Sequence, residues 1–296
     1  MVGLGGWEHE VFDGCFYPKP GLESSRKLAF YARSFDFVEV RATFWDDGLT
    51  ARDAVDWLAA VADNRRFLFG VRLHLSFTHK GSITPKASKS VRGLLYELAK
   101  CNRLGGLLAQ FPYSFTNTSA NRFHLVKLGE VFSGFPLFVE LRHASWDHAS
   151  LREFLAESSL YPVNVDLPRL KGYMSCRSDV VGDDAYLRLH GRNDKGWLLN
   201  GVDTRYDYLY NGREIREIVR RLSHLGEKSK RVFVVCNNTT GGKAVANAYQ
   251  LKSALSGEKE LHISERSSEV FPFLRSLEMP GKSQIELPVQ PLREVV

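Results

Sequence analysis

The chain has 296 residues, 44% of them hydrophobic, with a formal net charge of +6 and a sequence pI of about 9.1. No segment approaches the roughly 20 apolar residues of a membrane span, and the N-terminus lacks the basic start of a secretion signal, so we expect a cytoplasmic protein with no membrane partner. The cysteines (Cys15, Cys101, Cys176 and Cys236) form no C-x-x-C pair, which argues against a zinc ribbon or a disulfide framework.

The first half of the chain alternates strand-like and helix-like segments. We predict strands at Val2–Gly6, Phe37–Arg41, Phe67–His74 and Leu107–Gln110, with helices near 22–35, after Thr50 and near 89–102. Thr50 with Asp53 three residues later predicts a capping box. Gly105 and Gly106 are expected to end the third of these helices.

The second half continues the series. Strands are predicted at Leu137–Arg142, Tyr161–Asp166, Ala185–His190 and Arg231–Cys236, with helices after Ser150, near 213–222 and at 243–255. Ser150 with Glu153 predicts a second capping box. Segment 167–181 looks irregular, so one helix of the ring is expected to be missing. Residues 256–296, with Pro280, Pro288 and Pro291, are expected to be an extension that packs on the domain of residues 1–255 or trails from it.

Five strands share one pattern, a pair of polar residues two positions apart among apolar neighbours. The pairs are Glu39 and Arg41, Arg72 and His74, Glu140 and Arg142, Asn164 and Asp166, and Arg188 and His190. Residues two apart in a strand share one face, and each pair falls at the C-terminal end of its strand. Eight strands alternating with helices predict a (β/α)8 barrel, with every pair facing the barrel interior near its mouth.

Several sequence blocks carry a family resemblance. They are GGWEHEVFDGCFYP (5–18), FVEVRATFW (37–45), GGLLAQFPYSF (105–115), VELRHASW (139–146), YLRLHGR (186–192) and CNNTTGGKAVANAYQL (236–251). Their order and spacing resemble the YecE-like proteins, also called domain of unknown function 72, over roughly residues 1–255. The resemblance implies a TIM-type (β/α)8 barrel and no particular reaction. The chain departs from the family at Arg41, where a small polar residue is usual, and at Cys236, where an aromatic residue is usual.

Candidate functional residues lie at the predicted strand ends. The catalytic candidates are His190, Glu140, Asp166, His143 and His74, and the substrate-binding candidates are Arg41, Arg142, Arg188, Gln110, Asn237, Asn238, Gly241 and Gly242. Histidine titrates near neutral pH and suits proton transfer. The alternative for the deeper residues Glu39, Arg72, Glu140 and Arg188 is a structural ion-pair network, since buried charges must be paired.

The turn after the eighth strand indicates the type of ligand. Asn237–Gly242 leads into a helix, so backbone amides there would favour an anion beside the loop that follows His190; ordinary capping by Thr239 or Thr240 is the alternative. Aromatic residues past the strand ends, Trp7, Phe44 and Trp45 among them, either wall a pocket for a sugar or a base or pack the loops together.

These residues predict an enzyme that uses histidine and carboxylate acid–base chemistry on a small anionic substrate. A non-catalytic module that binds nucleic acid or a protein is the first alternative, supported by the basic pI and the proline-bearing tail. A metal-dependent hydrolase or isomerase is the second. Arginines accompany the acids, and no H-x-H or H-E-x-x-H spacing appears, so no metal or other cofactor is predicted.

Overall fold

A computed structural model describes residues 1–198, 202–256 and 261–278. Eight parallel strands pair in sequence order, and the last pairs with the first, which closes the barrel. They are β1 (Val2–Gly5), β2 (Phe37–Val40), β3 (Leu68–Arg72), β4 (Leu104–Gln110), β5 (Leu137–Glu140), β6 (Leu160–Asp166), β7 (Asp184–Leu189) and β8 (Arg231–Cys236). This is a TIM-type α/β barrel, as predicted.

The helices surround the barrel or cover its mouth. They are α1 (Glu10–Cys15), α2 (Ser24–Ser34), α3 (Ala42–Trp45), α4 (Ala51–Ala60), α5 (Leu75–Thr78), α6 (Pro85–Lys100), α7 (Ser119–Val131), α8 (Leu151–Glu157), α9 (Asp194–Leu198), α10 (Val202–Arg205), α11 (Gly212–Gly226), α12 (Lys243–Ser256), α13 (Glu265–Val270) and α14 (Arg275–Glu278). Three 3₁₀ turns occupy Ala144–Trp146, Thr240–Gly242 and Pro272–Leu274. No helix within these described ranges is long and apolar enough to cross a membrane.

Local sequence signals explain several helix ends. The capping box of Thr50 and Asp53 is confirmed at α4. Helix α6 begins before the predicted position because the Thr84 hydroxyl accepts the backbone N–H of Ala87 and Pro85 opens the helix. Helix α7, which the sequence analysis did not identify, is capped by Thr118.

Two predicted helix boundaries are wrong. Gly105 and Gly106 do not end α6; they lie inside β4, where the register against β3 shifts. The second capping box is absent from α8, because Ser150 has helical backbone angles and its hydroxyl pairs with His148 Nδ1 at 2.9 Å instead of capping.

Segment 167–183 contains no helix, which confirms the gap predicted after β6. The described part of the C-terminal extension packs on the barrel: the Ser267 hydroxyl donates to the backbone oxygen of Cys15, and Phe271 and Leu274 join the core outside the strands. The boundary at residue 255 stays a prediction. The prolines at 280, 288 and 291 lie outside the described residues.

The barrel has two separate apolar layers. The larger lies between the strands and the helices. The smaller fills the barrel interior and includes Phe37, Leu108, Phe138 and Phe233. Above this inner layer, toward the C-terminal ends of the strands, the side chains become polar, and that change defines the candidate site.

Candidate functional site

A closed ion-pair network lies directly above the apolar floor of the barrel. Arg188 on β7 pairs with Glu39 on β2 at 2.8 Å and with Glu140 on β5. Glu140 also pairs with Arg142 at 2.9 Å, and the Tyr186 hydroxyl donates to Glu39. Because Glu39, Glu140 and Arg188 are at most 1% exposed, each charge depends on its partners for stabilisation.

The charges of the network shift the pKa values of Glu140 and Arg188. Burial opposes ionisation of Glu140, but Arg188, His190 and Arg142 hold its pKa well below the usual value. Burial likewise disfavours the charge on Arg188, yet Glu140 and Glu39 raise its pKa. We call Glu39, Glu140, Arg142 and Arg188 the inner network.

His190 adjoins the inner network. Its Nε2 lies 3.2 Å from Glu140 Oε1, and the Asn237 amide donates to its Nδ1 across 3.1 Å. The Asn237 carbonyl oxygen faces Arg188 Nη2 at 3.4 Å, which sets this orientation of the amide. Nε2 therefore carries the proton and Nδ1 the lone pair. Burial lowers the pKa of His190 to about 4, so the ring is neutral at pH 7.

Glycine at the end of β1 allows Asn237 to occupy this position. A Cβ atom at Gly5 would lie 2.6 Å from the Asn237 carbonyl oxygen, closer than atoms pack. Any larger residue at position 5 would push Asn237 away from both Arg188 and His190. The glycine of the block GGWEHEVFDGCFYP thus has a steric role at the mouth.

Two further arginines lie at the mouth without a carboxylate partner. Arg72 Nη2 donates to Gln110 Oε1 at 2.5 Å, its Nε has no hydrogen-bond partner, and its guanidinium lies 3.6 Å from the ring centre of Phe44. Arg41 contacts the Gly5 carbonyl and His9. Neither arginine belongs to any ion pair found among the described residues. We call Arg41 and Arg72 the outer arginines.

Burial disfavours the charged form of both outer arginines. Arg72 is 7% exposed, and burial together with Arg188 lowers its pKa to about 9. Burial also lowers the pKa of Arg41, which Glu39 only partly offsets. The mouth thus holds four guanidiniums (41, 72, 142 and 188) against two carboxylates (39 and 140), an excess of two positive charges.

A neighbouring phenol is affected by the same excess of charge. Burial raises the pKa of Tyr206, but Arg142 and Arg188 together bring it below the ordinary value. Tyr206 and the buried Trp197 cover His190, with ring centres 5.9 and 6.2 Å from the imidazole. The arrangement favours negative charge at the mouth.

One polar pair does not face the interior, contrary to the prediction. Val163 and Val165 of β6 point into the barrel, so Asn164 and Asp166 point outward. Asp166 accepts two hydrogen bonds from Arg192, at 2.8 and 2.9 Å, and one from Tyr210. It lines a lateral cavity of about 570 Å³ beside α11. The side chain of Asp166 therefore cannot orient His190, and the predicted convergence was wrong.

Among the described residues, His74 and His143 form no hydrogen bond or ion pair with His190 or Glu140. The Nδ1 atom of each accepts the backbone N–H two residues on and so caps a short helical turn. The ring of His143 packs on Tyr113, with ring centres 4.9 Å apart. Of the predicted catalytic residues, only Glu140 and His190 come together at the mouth.

The predicted binding residues also divide into two groups. Arg41, Arg142, Arg188, Gln110 and Asn237 reach the mouth, whereas the Asn238 side chain bonds the Tyr208 carbonyl and Asn247. The N–H of Gly242 donates to the Thr239 carbonyl, and a Cβ there would lie 2.2 Å from Cys15 Sγ, so this glycine allows close packing on α1. The amides predicted to bind an anion at Gly241 and Gly242 are therefore not both free.

Part of the site was not predicted from the sequence. His9 follows β1 in the loop before α1, and its ring nitrogen meets Arg41. Burial and then Arg41 lower its pKa to about 4, so it adds no positive charge at pH 7. Trp197 and Tyr206 complete the walls together with Phe44, which was already predicted from the sequence as an aromatic residue past a strand end. Only the barrel closure brings these loop residues together, and no spacing in the sequence predicts that contact.

No group of three or more His, Cys, Asp or Glu side chains suited to hold a metal ion occurs in the part of the chain that the structure describes. The mouth offers guanidinium, amide and imidazole groups instead. These donors suit an anion.

Comparisons with known proteins confirm the family resemblance. The family model described as "Protein of unknown function DUF72" matches residues 1–269. The UPF0759 protein YunF of Bacillus subtilis is 29% identical over 273 residues, which cover 86% of this chain and 94% of that protein. Crystal structures of DUF72 proteins are similar as well: one from Thermotoga maritima (32% identity, TM-score 0.76, 86% of this chain and 98% of that one) and one from Enterococcus faecalis (24% identity, TM-score 0.75, 89% and 98%).

Proposed function

The chain belongs to the DUF72 family, whose name records no function, and from that premise we propose that its barrel mouth binds a small phosphorylated or carboxylated molecule and acts on it by acid–base chemistry. The observation that carries this proposal is Arg72, a buried cation with no carboxylate partner among the described residues. An uncompensated buried charge costs several kcal/mol, on the order of 3–5 when a partner is removed. An anionic ligand supplies the missing partner.

The proposed anion lies between the outer arginines. Arg72 contributes its Nε, which has no hydrogen-bond partner, and Arg41 contributes a second guanidinium from the neighbouring strand. Two planar guanidiniums suit the oxygens of one phosphate or carboxylate group. Gln110 fixes Arg72 Nη2 and so sets the direction of Nε.

His190 is the proposed proton-transfer group. The Asn237 amide donates to Nδ1, which makes Nδ1 the basic nitrogen, and Glu140 lies 3.2 Å from Nε2. A neutral imidazole at pH 7 acts first as a base, taking a proton from a substrate group that replaces the Asn237 amide at Nδ1. Glu140 stabilises the imidazolium that forms, and the proton then returns to substrate or water.

The first experiment is a turnover screen of phosphorylated and carboxylated metabolites. With a substrate found, His190→Gln should lower turnover about a hundredfold, the usual contribution of a positioned acid–base group, while the affinity for inorganic phosphate stays unchanged. Asp166→Asn is the matched control and should keep turnover, since that carboxylate points away from the mouth. Full turnover in His190→Gln would remove the histidine from the mechanism.

The cellular location and the alternative functions stay predictions. The four cysteines are free thiols, which supports a reducing compartment such as the cytoplasm. The metal-dependent alternative gains no specific support from the mouth, where the described donors are those of an anion site. Nucleic-acid binding would use the same kind of donor, because backbone phosphates are anions, and stays an alternative.

A further inference from the structure

A small groove opens from the surface onto Arg41, one of the two outer arginines. It lies beside the ends of β1 and β2, has a volume of about 200 Å³, and is lined by residues that include Gly6, Glu8, His9, Arg41 and Trp45. At roughly 30 Å³ for each water molecule, this space holds six or seven waters, about the size of one sugar ring. Arg72 is buried, but Arg41 is only partly covered and is reached from this groove.

An unusually exposed indole forms one wall of the groove. Trp45 at the end of α3 is 68% exposed, whereas Trp7 on the same groove is 2% exposed. The edge of Trp45 is held against Phe44, with ring centres 4.6 Å apart, and Phe44 in turn lies on Arg72. These contacts place the exposed indole near the outer arginines. An indole that lies open on the wall of a groove is available to pack against the apolar face of a ring.

We propose that this groove binds the sugar ring of a sugar phosphate whose phosphate group lies on the outer arginines, an inference that rests on the proposed function. The apolar face of the ring covers Trp45, as amphipathic rings do on indoles. Glu8, which lies exposed on the same groove, accepts hydrogen bonds from ring hydroxyls. The hydroxyl groups of a sugar ring can donate to this carboxylate, and a purely apolar ring cannot.

The test compares two phosphate esters by calorimetry, glucose 6-phosphate with a ring and glycerol 3-phosphate without one. Trp45→Ala should weaken glucose 6-phosphate about tenfold and leave glycerol 3-phosphate within a factor of two. Glu8→Gln should weaken only the sugar ester, by a few-fold. Tyr96→Ala, which removes another exposed aromatic ring on α6, is the matched control and should change neither affinity.

The outcomes separate this inference from the proposed function. Equal affinities of the wild type for both esters, or no effect of Trp45→Ala, would overturn the sugar groove while phosphate binding stands. Phenyl phosphate binding more tightly than glucose 6-phosphate, with the same dependence on Trp45, would replace the sugar by a planar ring and overturn the assignment. Absence of binding by both esters and by inorganic phosphate would overturn the proposed function together with this inference.

Discussion

The inner network and the outer arginines lie in the same barrel but differ in charge balance. In the inner network, Arg188 sits between two carboxylates and Arg142 pairs with one of them. Above it, Arg41 and Arg72 contact amide, carbonyl, imidazole and aromatic groups, and no carboxylate lies within ion-pair distance among the described residues. Each charge of the first group has a partner of opposite sign in the protein, and neither arginine of the second group has one among the described residues.

The role of a buried charge in a polar barrel interior depends on whether it has a partner of opposite sign. A buried charge that already has its partners stabilises a particular packing and leaves nothing for a ligand. A buried charge without a partner lowers stability until something binds it. We therefore propose that the inner network holds the barrel interior together, with Glu140 also positioned against His190, and that the outer arginines bind the ligand.

The largest expected effect comes from the centre of the inner network. Arg188→Met leaves Glu39 and Glu140 buried without their shared cation, so the free energy of unfolding should fall by about 3–5 kcal/mol. Urea unfolding at pH 7 measures this change. A loss below about 1 kcal/mol would show that the network does not hold the barrel interior together.

The side chain of Asp166 lies outside the barrel interior, so its replacement should change stability without changing phosphate binding. Asp166→Asn weakens hydrogen bonds to Arg192 and Tyr210, and bonds to charged groups are worth roughly 1.5–3 kcal/mol, so a loss of about 2 kcal/mol in unfolding free energy is expected. Phosphate affinity should not change, because the side chain lies away from the mouth. A large drop in phosphate affinity would mean that the lateral side of β6 takes part in binding.

His190 makes the stability of the inner network depend on pH. The pKa of its side chain is about 4 in the folded protein and 6.5 in the unfolded chain, so the unfolded chain binds the extra proton between these values. Stability is therefore full above pH 6.5 and falls as the pH drops toward 4. From pH 7 to pH 5 this group should contribute a loss of about 2 kcal/mol.

His190→Asn isolates that contribution. Its unfolding free energy should fall by about 2 kcal/mol less than that of the wild type between pH 7 and pH 5, since His9 and the acids titrate in both proteins. Denaturant curves at the two pH values give the difference. Equal losses in the two proteins would show that His190 is not buried in neutral form.

Sequence reasoning predicts the barrel better than the site. Apolar runs, five of them carrying a polar pair, identified all eight strands, because the strand pattern is local and closure follows from the order of elements. The same periodicity misplaced Asn164 and Asp166, since a period of two gives a shared face but not which face is inside. On β6 the valines fill the interior, and Asp166 lines the lateral cavity beside α11.

The sequence does not predict which charged side chains pair with one another. Glu39, Arg72, Glu140 and Arg188 had the same predicted role, yet Arg72 lies outside the network formed by the other three. Which carboxylate meets which arginine depends on the height of each residue in the barrel and on loop residues such as Phe44. Neither is encoded in local spacing.

The smallest expected effect on stability belongs to Arg72 and tests the central claim most directly. Arg72→Met removes a buried cation that has no carboxylate partner. Without ligand, this change should lower the unfolding free energy by no more than about 1 kcal/mol relative to the wild type. The measurement is urea unfolding with and without inorganic phosphate. Arg65→Met, at an exposed arginine after α4, is the matched control for lost charge.

Phosphate at about 100 times its dissociation constant should raise the unfolding free energy of the wild type and of Arg65→Met by roughly 2.7 kcal/mol. The same phosphate should leave Arg72→Met nearly unchanged. An equal rise in Arg72→Met would contradict the assignment of ligand binding to the outer arginines.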